Sequence, residues 1–446
     1  MSIRKAESLS EIYQAFKGEP LGMDDMAFYR EANAARGGFE PRRQVARFLK
    51  QNPHTSEHIL FVGYKGCGKS TELNHLHKDI GEEFLVLNFS IEDELDPVHL
   101  NYIELFIVAM EQLFSAAQKH NIKISKEYLK SIQHWIATKE IEEIKEKYNI
   151  GVELEAGAEG TIGIPYLQKF FAKFKATAKS SRSLKESIKK NIEPKLSELI
   201  GHCNTLINEI SIKLSQISKK DLVIIIEDLD KVPFDRAEDL FLNYANQLTQ
   251  LNTNVIFTFP IGLYYSTRFN QIKPYFSTIY ELPMIQVSNK DGSKNESGYK
   301  VMHDIVKARM NIETLFSETS ILDEMIFYSG GCLRDLFLMI WKASEFAQDF
   351  ERDAIEAKDW HMAFQRLKQE YEANLADNTI DGKLYPVEGY YKILVELAQS
   401  PIKKVDNTEE ALHLRQNLCI LGYNGEGWQD VHPIVRKILE ERQKLN

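Results

Sequence analysis

The sequence has few of the features that mark a secreted, zinc-binding or membrane-spanning protein. Among its 446 residues are only four cysteines, and they lack both the C-x-x-C spacing of a zinc site and the density of a disulfide framework. No apolar run approaches the roughly 20 residues that a membrane-spanning helix needs. The first residues contain no apolar segment typical of a signal peptide. We therefore expect a cytoplasmic protein that does not enter a membrane.

An excess of positive charge is also missing. The formal net charge is −10, from 65 acidic and 55 basic residues. This balance argues against a nucleic-acid-binding surface over the whole molecule, although it is compatible with a local basic patch. With 43% hydrophobic and 27% charged residues, the composition is that of an ordinary globular protein. The length predicts two or three domains.

One glycine-rich segment carries most of the functional information. It follows the apolar run 59–62, precedes a helix-like stretch, and fits the pattern G-x-x-x-x-G-K-[S/T]. A strand that leads through glycines into a helix presents backbone N–H groups that suit a triphosphate. We expect Lys69 to reach the β and γ phosphates from the solvent side and Ser70 to hold Mg²⁺. The residues predicted to contact nucleotide here are Gly63, Tyr64, Lys65, Gly66, Cys67, Gly68, Lys69, Ser70 and Thr71.

An acidic segment lies far downstream, where the apolar run 222–226 ends in Glu227 and Asp228. Such a run predicts a strand buried on both faces of a parallel sheet. Because ligands bind at the carboxyl ends of strands in open α/β sheets, we expect both acids beside the glycine-rich loop. One would bind the Mg²⁺ and the other would orient or polarise the attacking water, and the sequence leaves open which does which. The alternative is a capping cluster, a role open to Asp230 or Asp235.

Alternation of apolar runs with helical patterns predicts the α/β class, with a doubly wound parallel sheet. Further strands are expected at 84–89, 255–259 and 278–282, and a long helix at about 97–119. The predicted domains are a helical lead-in at 1–55, a nucleotide-binding core at 56–290 with a helical insertion at about 120–190, a helical lid at 291–375, and a winged-helix-like domain at 386–446. The lead-in contains Arg36, Arg42 and Arg43, which either pack near the core or are solvated.

The insertion combines a glycine-rich stretch at 151–165 with a basic segment. From residue 169 to 195, nine lysines and arginines accompany two glutamates, with Phe170, Phe171 and Phe174 interleaved. The segment is either a solvated helix face or a surface for nucleic acid or an acidic partner. Its phenylalanines either pack internally or stack on bases. An apolar stripe at 196–217 then predicts one long helix packed on the sheet, with a coiled-coil arm as the alternative.

A third motif, S-G-G-C-L-R-D-L, opens a helix at Ser329. With the G-Y-K-G-C-G-K-S-T loop and the E-D-L-D-K strand end, it resembles the AAA+ and STAND-like bacterial P-loop ATPases, and more distantly the archaeal origin-recognition ATPases. The resemblance covers about 55–375. It implies an ATPase that uses ATP and Mg²⁺, in which Glu227 and Asp228 take the metal and water roles. Thr258 would be a polar sensor, Arg334 would reach phosphate, and the glycines would let the lid helix approach the nucleotide.

Two other P-loop classes do not fit. The guanine-reading pattern N-K-x-D fails because Gly292 stands where its second acid must be. The ABC class places its S-G-G signature before the acidic strand, whereas here the signature follows that strand.

The resemblance implies a switch that couples nucleotide state to a protein partner, an effector or homo-oligomeric assembly. Many proteins of this appearance lie beside effector genes in bacterial antiviral defence loci. One alternative is a regulatory scaffold that holds nucleotide without hydrolysis, because the family order places Asp where Glu227 stands. Another is a DNA-binding ATPase that uses segment 169–195. Arg268 is either a finger for a neighbouring subunit or part of a surface salt bridge. The C-terminal residues predict helices at 390–397 and 409–418, then a hairpin with its turn at 424–427.

Overall fold

The computed structural model describes residues 3–150, 163–380, 382–423 and 427–445. The predicted glycine-rich stretch 151–165 lies almost wholly outside the described residues, as does most of the predicted turn at 424–427. No helix among the described residues is long and apolar enough to span a bilayer.

A five-stranded parallel sheet forms the centre of the fold, which confirms the predicted α/β class and every predicted strand. The strands are β1 His58–Gly63, β2 Phe84–Ser90, β3 Asp221–Glu227, β4 Asn254–Phe259 and β5 Thr278–Leu282. Their order in the sheet is β2-β3-β4-β1-β5. Strands β1, β3 and β4 are buried along their whole length, as their nearly continuous apolar runs require.

The strand order sets the layout of the carboxyl edge. Strand β4 lies between β1, which leads into the glycine loop, and β3, which ends in the acids. Neighbouring strands are about 4.8 Å apart, so the axes of β1 and β3 are separated by roughly 10 Å. On the other side of β3, Ser90 at the end of β2 is in register with Glu227. The end of β2 therefore supplies side chains to the same edge.

The helices cover both faces of the sheet and build the parts around it. In the lead-in and core they are α1 Ile12–Phe16, α2 Pro41–Gln51, α3 Lys69–Ile80, α4 Ile91–Glu94 and α5 Tyr102–Lys119. The insertion contains α6 Lys126–Ile136, α7 Lys139–Tyr148, α8 Ile164–Ser180, α9 Arg182–Ile192 and α10 Leu196–Ser211. After β3 come the short helices α11 Phe234–Glu238, α12 Ala245–Leu248, α13 Ile261–Tyr264 and α14 Phe269–Ile272, with a π-helical turn at Asp239–Asn243. Short 3₁₀ turns include Leu9–Glu11, Met23–Phe28, Ala34–Arg36, Pro97–His99, Glu193–Lys195, Leu214–Ile217 and Lys273–Tyr275.

The C-terminal half continues with helices and two small hairpins. The lid helices are α15 Glu296–Arg309, α16 Ile312–Leu315, α17 Thr319–Ser329, α18 Leu333–Asp349 and α19 Ala357–Asn374. Beyond them are β6 Asn378–Ile380, β7 Lys383–Tyr385, α20 Val387–Gln399, α21 Glu409–Gln416, β8 Ile420–Gly422, β9 Gln429–Val431 and α22 Pro433–Glu441. The predicted hairpin is the antiparallel pair β8–β9. Its residue Tyr423 donates a hydrogen bond to the Gly330 carbonyl over 2.7 Å, so the hairpin is docked on the lid.

Two helix predictions need correction. The stripe at 196–217 is not one long helix, because α10 ends at Ser211 and the chain then forms a 3₁₀ turn. The helix predicted from about 97 begins at Tyr102, where the Asn101 side chain and Glu104 form a capping box. The prediction that this helix packs on the sheet is confirmed, because the apolar side of α10 packs on α5 and β3.

The phenylalanines of the basic segment pack inside the protein. Phe170, Phe171 and Phe174 are buried, and Phe171 stacks on Phe114 of α5 at a ring distance of 5.9 Å. This confirms internal packing and removes these rings from any contact with bases. Hydrophobic burial favours this packing, because each buried phenylalanine removes well over 100 Å² of apolar surface from water.

Several basic side chains of the same segment are bound to groups of this chain. Lys185 is buried, with its Nζ 3.6 Å from Glu104 and 3.5 Å from Asp96. Lys175 lies between Glu94 and Glu111, at 3.3 Å from the latter. A positive charge that is neutralised within the molecule releases no counterion from nucleic acid. The predicted basic surface is therefore much reduced.

Candidate nucleotide-binding site

The glycine loop joins β1 to α3 through two left-handed residues. Gly66 has φ +79° and Gly68, the residue before α3, has φ +99°. These angles strain any other L-residue, so the glycines are needed for the backbone path itself. The loop ends where Lys69 begins α3, with backbone N–H groups at the positive end of the helix. The local sequence thus builds an anion-binding turn.

The Lys69 side chain is inside the molecule, and the expectation that it faces solvent is wrong. Only 7% of Lys69 is exposed. Its Nζ donates hydrogen bonds to the carbonyls of Gly63 and Tyr64 and lies near Asp230 Oδ2, at 2.9 Å in each case. Burial opposes the ammonium charge, but the Asp230 carboxylate outweighs it and raises the pKa of Lys69 above its usual value. Asp230 is therefore an ion-pair partner and not a helix cap.

The two predicted acids point to different surroundings. Glu227 is buried and accepts a hydrogen bond from Asn88 Nδ2 over 2.8 Å, and the nearby Ser70 hydroxyl favours its ionised form. Burial raises the pKa of Glu227 to about 7. Asp228 lines the cleft and has a left-handed backbone, with φ +67°. Asp228 lines the cleft together with Ser70, whereas Glu227 does not line it.

Asp228 is held by two donors. The Ser90 hydroxyl donates to its Oδ2 over 2.5 Å, and Lys231 Nζ lies 2.8 Å from its Oδ1. Lys231 also contacts Glu92 at 2.7 Å. Asn88 and Ser90 were missed by the sequence reasoning, although a polar pair at the end of the apolar run 84–89 is a signal that could have indicated them.

Some predicted nucleotide contacts lie behind the loop and do not line the cleft. Thr258 is buried, and its Oγ1 accepts a hydrogen bond from the Leu229 N–H over 3.0 Å, which fixes the turn after β3. Tyr64 and Cys67 are also buried, and a side chain at Gly63 would meet the Leu282 carbonyl at 2.9 Å. Within the described residues, the loop positions that line the cleft are Lys65, Gly66, Gly68, Lys69, Ser70 and Thr71.

The lid lies directly on the loop. The N–H of Leu333 donates to the Gly66 carbonyl over 3.1 Å, and Arg334 lines the cleft. A Cβ at Gly66 would lie 2.7 Å from Cys332 Sγ and 2.9 Å from the Cβ of Arg334. Gly66 therefore has no side chain because the lid occupies its space. This contact, more than the phosphate pattern, explains a third glycine in the loop.

The two lid glycines pack closely against other parts of the chain. A Cβ at Gly331 would lie 1.8 Å from the Ile285 carbonyl, and one at Gly330 would lie 2.6 Å from Leu421. Both contacts are protein packing, against the chain that leaves β5 and against the C-terminal hairpin. Neither glycine lines the cleft, and the expectation that they let the helix approach a nucleotide stays a prediction. They bring the lid close to the rest of the protein.

The lead-in supplies a buried arginine to the loop. Arg36 donates from NH2 to the Cys67 carbonyl over 2.6 Å, and its NH1 is 3.2 Å from Glu72 of α3. Arg42 also contacts Glu72 at 3.2 Å, and Tyr29 donates to the same carboxylate over 3.1 Å. These contacts pack the lead-in against the core. Because these contacts join residues that are far apart in the chain, the sequence could indicate only that a group of arginines was present.

The cleft has a cationic end and an apolar end. Lys65, Lys69, Lys231 and Arg334 surround the loop, and burial together with these like charges lowers the pKa of Lys65. The opposite end is lined mainly by apolar side chains: Pro20, Leu21, Phe28, Ile285, Ile305 and Phe337. The space between amounts to about 1010 Å³, including the part open to solvent. A ligand with an anionic end and a flat apolar end matches this distribution.

Comparison with known proteins finds distant structural similarity only. Neither a family model nor a curated protein sequence matches the chain. Cdc6p from Pyrobaculum aerophilum has 10% identity and a TM-score of 0.38, covering 94% of this chain and 98% of that one. The Walker-type ATPase PABY2304 of Pyrococcus abyssi has 14% identity and a TM-score of 0.38, covering 93% and 100%. The ORC2 protein of Aeropyrum pernix, in its ADP form, has 10% identity and a TM-score of 0.37, covering 94% and 96%. Archaeal origin-recognition proteins, named above from the motifs, are thus among the similar structures.

Proposed function

We propose that this chain binds ATP with Mg²⁺ in the cleft and hydrolyses it, at a rate that is slow or depends on a partner. The observation that carries the proposal is the meeting of Lys69, Ser70, Glu227, Asp228 and Arg334 around one loop at the carboxyl edge of the sheet. Cations and helix-end N–H groups on one side, and acids on the other, are what a magnesium triphosphate requires.

Ser70 and Glu227 are the residues that would hold Mg²⁺. Their side chains are close enough for the Ser70 hydroxyl to favour the ionised form of Glu227, and Asn88 donates a hydrogen bond to the Glu227 carboxylate. No cluster of three or more metal-ligating side chains occurs within the described ranges. This agrees with Mg²⁺ chemistry, because the ion is commonly bound by one or two protein oxygens together with substrate phosphates. When bound, the metal would neutralise charge on the β and γ phosphates.

Asp228 is the residue placed to orient the attacking water. It lines the cleft, whereas Glu227 does not. Its Oδ1 lies 2.8 Å from Lys231 Nζ, so this carboxylate is already engaged within the chain. A partner contact that draws Lys231 away would free the Asp228 carboxylate to accept a hydrogen bond from water. This arrangement supports slow turnover that a partner can accelerate.

Lys69 and Arg334 would act on the phosphates. Phosphate oxygens would have to replace the Asp230 carboxylate near Lys69 Nζ, so nucleotide binding and the turn after β3 are linked. Arg334 begins the lid helix α18 beside Gly66 and can reach phosphate only with the lid in place. Its expected contribution is therefore to closure and hydrolysis.

The proposal includes a switch that transmits nucleotide state to the C-terminal segment. Gly422 of the hairpin packs on Tyr64 of the loop. A Cβ at Gly422 would lie 2.8 Å from the tyrosine ring. A change in the position of Tyr64 would therefore move the hairpin. A protein partner, an effector or a second copy could bind there. The motif resemblance extends this proposal to the ATPase component of a bacterial antiviral defence system.

Two alternatives receive less support. Arg268 is bound within the chain to Glu238 at 2.8 Å and to Glu409 at 3.0 Å, which favours a surface salt bridge over a finger for a neighbouring subunit. A DNA-binding role through segment 169–195 is disfavoured by the internal ion pairs of Lys175 and Lys185. The regulatory scaffold without hydrolysis remains the competing function.

Calorimetry with ATP and Mg²⁺, followed by a steady-state phosphate-release assay, tests the proposal. We expect the wild-type chain to bind and to release phosphate. Lys69→Met should abolish or severely weaken binding, whereas Lys78→Met, an exposed lysine on the same helix, should leave it unchanged. If the chain binds ATP but releases no phosphate at any protein concentration, the regulatory scaffold is the better description. If it does not bind ATP, the proposed site is refuted.

A further inference from the structure

Arg309 is a buried guanidinium at the apolar end of the cleft. It closes helix α15, is 4% exposed and lines the cleft. Its guanidinium carbon lies 4.8 Å from the centre of the Phe337 ring. Phe337 follows Arg334 by three residues on α18, which places it about 4.5 Å further along the helix axis. Arg309 is thus one turn beyond the phosphate end.

The guanidinium is poorly compensated. Among the described residues it has no carboxylate at salt-bridge distance, and its Nε–H is buried without an acceptor. Its NH1 group donates only to the Phe28 and Ile305 carbonyls, over 3.5 and 3.4 Å. Burial and the nearby Arg30 outweigh the opposing charge of Asp25 and lower the pKa of Arg309 to about 10. A buried charged donor without an acceptor costs free energy that a bound acceptor would recover.

The surroundings indicate what kind of acceptor fits. Leu21, Phe28, Ile305 and Phe337 line the same end of the cleft and offer apolar faces to a flat ring. Both purines carry a nitrogen acceptor at N7, and arginine donates to N7 of guanine in DNA recognition. A second phosphate would meet these apolar side chains and would lose its hydration without adequate donors.

We propose that Arg309 helps to recognise the purine base by donating from its free Nε–H to a ring nitrogen, while the ring packs beside Phe337. The inference rests on the proposed nucleotide binding at the loop. It assigns recognition of the base to a side chain of the lid. The lid would then contact the base through Arg309 and the phosphates through Arg334.

The test uses ATP analogues in which one ring nitrogen is replaced by carbon. Binding of ATP, 1-deaza-ATP, 3-deaza-ATP, 7-deaza-ATP and inorganic tripolyphosphate is measured by calorimetry with the full chain. One deaza analogue should bind the wild type about tenfold or more weakly than ATP, the loss expected for a hydrogen bond to a charged group. In Arg309→Met that difference should vanish, while tripolyphosphate affinity stays as in the wild type.

Arg30→Met is the matched control for charge. Arg30 also lines the cleft, but its NH1 group donates to the Ala27 and Tyr29 carbonyls, so this variant should keep the wild-type preference among the analogues. If Arg309→Met does not fold, Arg309→Leu replaces it and is judged by the same comparison of analogues.

The outcomes separate the inference from the function beneath it. If the wild type binds ATP and tripolyphosphate but no deaza analogue differs from ATP, the inference fails alone. It also fails if the penalty persists in Arg309→Met, or if that variant loses tripolyphosphate as strongly as ATP. If the wild type binds neither ATP nor tripolyphosphate, the proposed function fails and the inference with it.

Discussion

The Nζ atom of Lys69 and the Oδ2 atom of Asp230 are 2.9 Å apart, and both side chains are buried. The pair joins the start of α3 to the turn after β3, the two segments that would hold opposite sides of a magnesium triphosphate. The lysine thus contributes to the fold as well as to the proposed site. This double role governs how variants at either position are to be read.

Breaking that pair from one side should destabilise the protein. Lys69→Met leaves the Asp230 carboxylate buried without its cation, and we expect a loss of roughly 3 kcal/mol or more in the free energy of unfolding. Lys69→Met combined with Asp230→Asn should recover much of that loss, because no unpaired charge remains. Urea denaturation measures both. Lys78→Met should change stability by less than about 0.5 kcal/mol, and an equal loss in the single and double variants would contradict the prediction.

The two acids should separate in their effects. Glu227→Gln should weaken the part of ATP affinity that depends on Mg²⁺, because it removes the oxygen charge beside Ser70. Asp228→Asn should leave affinity near the wild-type value and lower the rate of phosphate release by a factor of about 10² or more. Calorimetry at several Mg²⁺ concentrations and a phosphate-release assay distinguish the two. Asp235→Asn, an exposed acid after the same strand, is the control. The reverse pattern would exchange the two roles.

The pKa of Glu227 predicts a pH-dependent stability difference. Burial raises this pKa from its usual 4.5 to about 7 in the folded protein. Between these values the unfolded chain has released the proton and the folded protein retains it, so this carboxyl makes the protein less stable as pH rises through that window. Above about pH 7 the loss is complete.

Glu227→Gln does not titrate and should escape that loss. Compared with the wild type, it should gain stability as pH rises from 4.5 to 7, up to on the order of 3 kcal/mol. Thermal or urea unfolding of both proteins, in EDTA and without nucleotide, measures the difference at each pH. A difference that stays constant from pH 4.5 to 8 would show that Glu227 does not titrate in this range.

The lid glycine Gly331 should tolerate no side chain. Gly331→Ala places a Cβ 1.8 Å from the Ile285 carbonyl at a φ of +86°, so it adds a backbone clash to the cost of the left-handed conformation. Gly38 has φ +79° with nothing within 4 Å, and Gly38→Ala therefore reports the conformational cost alone. That cost is about 1–2 kcal/mol, and we expect Gly331→Ala to lose clearly more. Equal unfolding free energies for the two variants would show that the lid can move away from Ile285 without cost.

Pattern and spacing were sufficient for the strands and for the loop. The apolar runs before Gly63 and Glu227 could be read directly, because a strand buried on both faces of a parallel sheet needs a continuous apolar run. The hairpin at β8–β9 was predicted from its turn residues for a similar local reason. The end of α10 was not, since an apolar stripe continues through the 3₁₀ turn that interrupts the helix.

The sequence by itself determined which residue types are present at the carboxyl edge: a glycine loop with Lys69 and Ser70, and a strand that ends in two acids. Only the tertiary structure decided what these residues contact. Lys69 is paired with Asp230, Arg36 of the lead-in donates a hydrogen bond to the loop, and Arg309 of the lid lines the cleft. Local patterns arise from backbone geometry and hydrophobic periodicity within a few residues of each other. Ion pairs and cleft walls join segments far apart in the chain, and they depend on the sheet order β2-β3-β4-β1-β5, which no local pattern specifies.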